Sequence, residues 1–154
     1  MSSPRGTLVH GDNAIVLADR AEALRGSLRL VYLDPPYNTG RTFAEYHDDV
    51  DPEVWGQRLE ALARLVHPML REDGALVAEI DDTELGALIV VLDQVFGRAN
   101  RISIITVVRS AATGHKAKNR GPVNVTDYLL LYAKERRAFH PKPLFRVRER
   151  YDDE

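Results

Sequence analysis

Residues 28–33 (LRLVYL) form a near-continuous apolar run that stops at the sequence Asp34-Pro35-Pro36. An apolar run of this length is typical of a strand that is covered on both faces of a sheet. Proline fixes φ, lacks a backbone N–H and restricts the residue before it, so the chain beyond the strand must turn stiffly. The sequence therefore predicts a buried strand with a rigid turn at its carboxyl end.

The rest of the chain alternates between strand-like and helix-like patterns. Strands that alternate with helices of ten or more residues indicate β-α-β units. The last two predicted strands are joined by a loop alone, so we expect them to pair antiparallel. The predicted fold is α/β, with a mostly parallel sheet, an antiparallel strand pair at its C-terminal end and helices on both faces. Helices are predicted over residues 13–24, 52–70 and from 82 or 83 to 96, and strands over residues 7–10, 28–33, 75–80, 102–108 and 128–132.

Composition and charge narrow the classes of function. The 154 residues include no cysteine, which excludes a disulfide framework, a cysteine zinc site and a thiol nucleophile. No apolar run has the length of a membrane span, and the N-terminus lacks the apolar core of a signal peptide, so we expect a cytoplasmic protein with no membrane partner. Acidic residues outnumber basic ones 17 to 8 in residues 1–97, whereas basic residues outnumber acidic ones 13 to 6 in residues 98–154. The excess of positive charge in residues 98–154 is equally consistent with binding to a nucleic-acid phosphate backbone and with a solvated protein surface.

The turn after residue 33 carries groups that suit a planar amine. In an open α/β sheet, ligands bind beyond the carboxyl ends of the strands, where Asp34 is expected. A ring with an exocyclic amine can stack on Tyr37 and donate its two N–H groups to the Asp34 carboxylate and the Pro35 carbonyl. Adenine and cytosine both fit this description. The alternative is a plain strand-ending turn, but four matching residues directly after an apolar strand favour the binding site.

The residues DPPY resemble the [DNS]-P-P-[YFW] signature of amino-methyltransferases, which modify exocyclic nitrogens of bases in DNA. VYLDPPYNTG is most similar to the adenine-N6 enzymes, especially the modification subunits of type III restriction–modification systems. Residues 8–40, residues 74–97 and the segment VTDYLLLYAK are similar to that family in the same order. The resemblance covers roughly residues 7–135.

The resemblance implies a partial Rossmann-like, S-adenosylmethionine-dependent methyltransferase fold that methylates N6 of a flipped-out adenine in DNA. The catalytic motif would be Asp34, Pro35, Pro36 and Tyr37. Asp34 and the Pro35 carbonyl would accept hydrogen bonds from the amine and orient its lone pair for direct attack, and Tyr37 would stack on the base. No metal is required. Cytosine-N4, RNA or protein-amide methylation, and a non-catalytic DNA-binding or scaffold role, are the alternatives.

The resemblance and the position of other residues assign further contacts. Asp12 corresponds to a Gly-Asp position near the adenosine of the cofactor, and a helix N-cap is its competing role. Asn38 and Thr39 are candidates for the cofactor or base pocket. The long loop over residues 110–126 carries the expected DNA contacts, which are His115, Lys116, Lys118 and Arg120.

The sequence departs from the family at the cofactor site. The F-x-G-x-G turn that holds S-adenosylmethionine in such enzymes is absent, and the glycines occur singly. We therefore expect residues 1–135 to be a methyltransferase catalytic region with an incomplete S-adenosylmethionine site. Residues 136–154 are expected to be a charged tail or linker toward a missing target-recognition region. The expected partners are DNA and a second copy or another subunit, which would supply the Gly-rich motif and target recognition.

Overall fold

The helices and strands follow the predicted alternation closely. The computed structural model describes residues 6–39, 41–42, 47–48, 50–109 and 125–143. In chain order, the elements are α1 (Asn13–Leu24), β1 (Leu28–Leu33), β2 (Arg41–Thr42), β3 (His47–Asp48), α2 (Pro52–Val66), β4 (Leu70–Ile80), α3 (Leu85–Phe96), β5 (Arg101–Val108) and β6 (Thr126–Ala133), with short 3₁₀ turns at His67–Met69 and Arg98–Asn100.

Four strands form the main sheet in the order β1-β4-β6-β5, and β2 and β3 form a separate antiparallel pair. β1 is parallel to β4, whereas β6 is antiparallel to both of its neighbours. Three of the four strands therefore run in one direction and β6 opposes them. This arrangement confirms the predicted α/β class, with a mostly parallel sheet that ends in an antiparallel pair.

The core lies between one face of the sheet and the helices. The buried side chains recur at helical spacing on α2 and α3 and at every second position on β4 and β6, as the periods of helix and strand require. α2 contacts both α1 and α3, so the three helices lie side by side on this face. No helix within the described residues has the length and apolar character needed to cross a membrane. The core residues include Trp55, Leu59, Leu62, Val66, Leu76, Ala78, Ile80, Leu88, Leu92, Phe96, Leu130 and Tyr132.

The opposite face of the sheet differs from the prediction. Within the described residues, β1 has one strand neighbour, β4, and no helix covers the face that carries Leu30, Tyr32, Ile105 and Val107. Leu30 is 58% exposed and Tyr32 is 55% exposed. The expected burial of residues 28–33 on both faces is therefore wrong for the described part of the chain. An apolar strand pattern shows that a surface is suited to burial, but it does not say what covers it.

Other predicted element boundaries also differ from those in the structure. Residues 7–10, predicted as a strand, form no strand, and Leu8 is 98% exposed because no neighbouring strand pairs with it. The helix predicted over residues 52–70 ends at Val66, since Pro68 cannot donate a helical hydrogen bond. α3 begins at Leu85, later than expected, and β4 begins earlier, directly after the 3₁₀ turn.

The close contact between β1 and β4 leads to a prediction about Gly74. A Cβ at this position would lie 2.8 Å from the Leu28 carbonyl oxygen and 2.9 Å from the Arg71 carbonyl oxygen, and both are backbone atoms. Overpacking of this kind costs about 1–3 kcal/mol, so we expect Gly74→Ala to lower the free energy of unfolding by that amount in urea denaturation. In the control Gly56→Ala on α2, the new Cβ meets no atom within 4 Å. This control should raise stability by about 0.5–1 kcal/mol, and a loss as large as that of Gly74→Ala would contradict the packing argument.

Candidate active site

The Asp34–Tyr37 turn lies at the carboxyl edge of the sheet, directly after β1. Because β1 and β4 are parallel and Leu33 pairs with Ala78, both strands end at this edge, where open α/β sheets bind their ligands. Asp34 and Pro36 are exposed, Pro35 is buried, and Tyr37 is half-buried against the core. The motif is therefore at the predicted end of its strand. That strand is at the edge of the sheet in the described part of the chain, with β4 as its one strand neighbour there.

Acidic side chains surround Asp34. Glu79 on β4 accepts a hydrogen bond from the Tyr32 hydroxyl, and the buried Asp127 on β6 forms an ion pair with Arg109, whose Nη1 lies 3.3 Å from its Oδ1. Partial burial raises the pKa of Asp34 above its usual range, and the nearby Glu79 and Asp127 carboxylates raise it further. The site is thus rich in negative charge, and Asp34 holds a proton more readily than an isolated aspartate.

Two tyrosines beside these carboxylates stay neutral. The hydrogen bond to Glu79, with a smaller effect of burial, raises the pKa of Tyr32 to about 12. Burial, followed by the charges of Glu79 and Asp34, raises the pKa of Tyr37 well above its ordinary value. The Tyr37 ring therefore remains an uncharged phenol, which suits stacking against an aromatic ring.

The turn is tied to two helices. Trp55 on α2 donates from Nε1 to the Pro36 carbonyl at 2.8 Å. Asn38 has a left-handed φ of 56°, its Nδ2 donates to Glu84 Oε1 at 2.8 Å, and its Oδ1 accepts from the Val50 amide at 2.8 Å. Trp55 lies within the helix predicted over residues 52–70, and no signal in the sequence pointed to its contact with the motif.

The other predicted site residues are spread more widely. Asp12 caps α1, because its Oδ1 accepts hydrogen bonds from the amides of Ala14 and Ile15. The structure thus shows the helix N-cap, which was the competing role for Asp12. Its contact with a cofactor remains a prediction, as do those of Asn38 and Thr39, which lie half-buried just after Tyr37. The candidate DNA contacts His115, Lys116, Lys118 and Arg120 lie outside the described residues.

The raised pKa of Asp34 makes stability depend on pH. Below the pKa of an unfolded aspartate, about 4, the carboxyl is protonated in both states and has no effect on stability. As pH rises through the folded pKa, the unfolded state ionises more readily, so an ionised Asp34 opposes folding. We expect Asp34→Asn to raise the thermal unfolding midpoint at pH 7, and the gain to disappear near pH 3. The control Asp19→Asn on the exposed surface of α1 should not show this pH-dependent gain. A lower midpoint for Asp34→Asn at pH 7 would refute the argument.

Comparisons with known proteins agree with this geometry. A family model described as DNA methylase, of the N6/N4 type, matches residues 28–154. The chain is 26% identical over 143 residues to a probable type III restriction–modification enzyme Mod subunit of Haemophilus influenzae, and this match covers 92% of the chain and 19% of that protein. It is 32% identical to the type II methyltransferase M.KpnI of Klebsiella pneumoniae, with 87% of the chain and 34% of that protein covered. The chain thus spans about a third or less of the length of these two relatives.

A solved structure shares the fold. The M1.HpyAVI–SAM complex superimposes with a TM-score of 0.58 at 15% identity, and the match covers 92% of this chain and 62% of that one. This identity is too low to carry more than the fold, whereas the family model covers most of the chain, including the Asp34–Tyr37 turn. On that match, the chain belongs to the N6/N4 DNA methylase family.

Proposed function

We propose that this chain is the catalytic region of an S-adenosylmethionine-dependent DNA methyltransferase, which methylates N6 of a flipped-out adenine within a restriction–modification system. The observation that carries the proposal is the Asp34–Tyr37 turn at the carboxyl edge of the sheet. It presents an exposed carboxylate next to a half-exposed, uncharged aromatic ring. The similarity to a Mod subunit supports the link to restriction–modification systems.

The motif acts on the base by positioning and by proton acceptance. The Asp34 carboxylate and the Pro35 carbonyl accept the two N–H groups of the exocyclic amine, which orients the nitrogen lone pair. Tyr37 stacks on the base, a contact worth roughly 1–3 kcal/mol. Because partial burial and, to a smaller extent, the neighbouring Glu79 and Asp127 carboxylates raise the pKa of Asp34, this group also accepts the proton that leaves the nitrogen once the new N–C bond has formed.

The charge of the site fits the proposed cofactor. When bound, S-adenosylmethionine supplies a methyl group activated by a positively charged sulfur. The carboxylates of Asp34, Glu79 and Asp127 lie close enough to influence one another, so they create a negative potential that favours a cation over an anion. The solved structural relative is itself a complex with this cofactor, which supports the choice. Asp12, Asn38 and Thr39 remain the proposed cofactor contacts.

The remaining partners are also proposals. DNA would contact His115, Lys116, Lys118 and Arg120, which lie outside the described residues. A second copy or another subunit would supply the Gly-rich motif and target recognition. The exposed apolar face of the sheet, which includes Leu30 and Ile105, is a surface that such a partner can cover.

Cytosine-N4 methylation is the second candidate, because the family model covers both N6 and N4 methylases and the amine of cytosine fits the same turn. The choice of adenine rests on the resemblance of VYLDPPYNTG to adenine-N6 enzymes. A scaffold role is less well supported, since all four residues of the motif are intact. An RNA substrate is less well supported because the matching family model is described as DNA methylase.

The proposed function predicts that the hydrogen-bond acceptor on the Asp34 side chain is essential. The protein, purified with any subunit that accompanies it, is incubated with labelled S-adenosylmethionine and duplex DNA from a methylation-deficient host. We expect Asp34→Ala, which removes the acceptor and no longer matches the [DNS]-P-P-[YFW] signature, to lower the transfer rate by roughly 10²–10³-fold, the typical loss when one preorganised polar group is removed from a transition state. The control Asp19→Ala should transfer at the wild-type rate. Mass spectrometry of the hydrolysed DNA distinguishes N6-methyladenine from N4-methylcytosine, and DNA binding without transfer by the wild type would favour the scaffold role.

Stacking by Tyr37 gives a second, independent prediction. Tyr37→Phe keeps the ring and should retain most of the activity. Tyr37→Ala removes the ring, and a loss of roughly 1–3 kcal/mol of stacking corresponds to about a 5- to 150-fold drop in kcat/KM. Steady-state kinetics of the two variants side by side measure this difference. Equal losses in both variants would show that the hydroxyl or the local fold matters rather than the aromatic face.

A further inference from the structure

Trp55 connects the core to the carbonyl of the second motif proline. Its side chain is 3% exposed, and its indole Nε1 donates to the Pro36 oxygen at 2.8 Å. Asp51 caps α2 by accepting from the amides of Glu53 and Val54, so the first turn of the helix, which carries Trp55, is itself held in place. The indole N–H of Trp55 is therefore a buried, preorganised donor that binds the exposed turn.

The two prolines do not fix this turn by themselves. Proline restricts φ, but the ψ of Pro36 still decides where its carbonyl points and in which direction the chain enters Tyr37. The hydrogen bond from Trp55 fixes the carbonyl and hence that ψ. On the far side of Tyr37, Asn38 is held in the left-handed region by its bonds to Val50 and Glu84. Both residues that flank Tyr37 are thus anchored to the helical layer.

We propose that Trp55 is a positioning residue, whose indole N–H sets the direction of the Pro36–Tyr37 peptide and, through it, the positions of the Tyr37 ring and the Pro35 carbonyl. The inference rests on the proposed function, which assigns these two groups to the base. A misplacement of about 1 Å can lower the rate of a well-oriented reaction about 10²-fold. Loss of the N–H should therefore lower kcat by about 10- to 100-fold and change the KM for S-adenosylmethionine much less.

The test removes the hydrogen bond and keeps the shape. Trp55 is the single tryptophan of the chain, so growth of a tryptophan auxotroph on benzothienylalanine changes this position alone within it. In this analogue, sulfur replaces the indole N–H and the bicyclic ring is retained. Trp55→Phe is a second variant in case the analogue is poorly incorporated. The matched control is Tyr132→Phe, which removes a buried donor to Asp93 on α3, on the core side of the sheet.

Two measurements are made on each protein: kcat and KM for methyl transfer, and hydrogen exchange at the amides of residues 37–39. We expect both Trp55 variants to show faster exchange at these amides and a lower kcat, and Tyr132→Phe to show neither. Unchanged exchange would overturn the anchoring role, and faster exchange with an unchanged kcat would overturn the positioning role. Lack of methyl transfer by the wild-type protein, purified with any subunit that accompanies it, would refute the proposed function instead, while hydrogen exchange would still decide whether Trp55 holds the turn.

Discussion

The parallel pairing of β1 with β4 determines where every group of the candidate active site lies. The register of Leu33 opposite Ala78 brings the ends of both strands to one edge of the sheet. Asp34 follows the first strand there, and Glu79 lies at the end of the second. β6 begins at the same edge, since Tyr128 pairs with Ile80, and it brings Asp127 close. These two strand pairings thus gather three carboxylates from distant parts of the chain.

The proximity of these three carboxylates is electrostatically unfavourable. Partial burial raises the pKa of Asp34, and the neighbouring carboxylates raise it further, because carboxylates that share a small region disfavour each other's ionisation. Arg109 offsets part of the charge by pairing with Asp127. The remaining negative potential has a use in a methyltransferase, since the proposed methyl donor is a cation and a more basic Asp34 is a better proton acceptor. Destabilising charge of this kind is concentrated at functional sites more often than elsewhere.

Rigidity at the same edge comes from two sources that differ in kind. The prolines restrict the backbone locally, whatever surrounds them. The hydrogen bonds made by Trp55 and Asn38 act across the fold, because Trp55 belongs to α2, whereas Asn38 bonds to Glu84, the N-cap residue of α3, and to Val50, before α2. A turn held in both ways can present a carboxylate, a carbonyl and an aromatic ring at fixed distances, as recognition of a planar amine requires.

The sequence by itself determined the local features. The helical spacing of Leu59, Leu62 and Val66 predicted α2, and the residues DPPY predicted the stiff turn and carry the chemistry proposed for it. These features depend on neighbours in the chain, so a linear pattern can reveal them. Only the tertiary structure decided that β1 lies at the sheet edge and that residues 7–10 pair with no strand among the described residues, and it alone revealed the contact of Trp55 with Pro36. An apolar pattern indicates that a side chain is suited to burial. Which surface buries it depends on residues that are far away in the sequence.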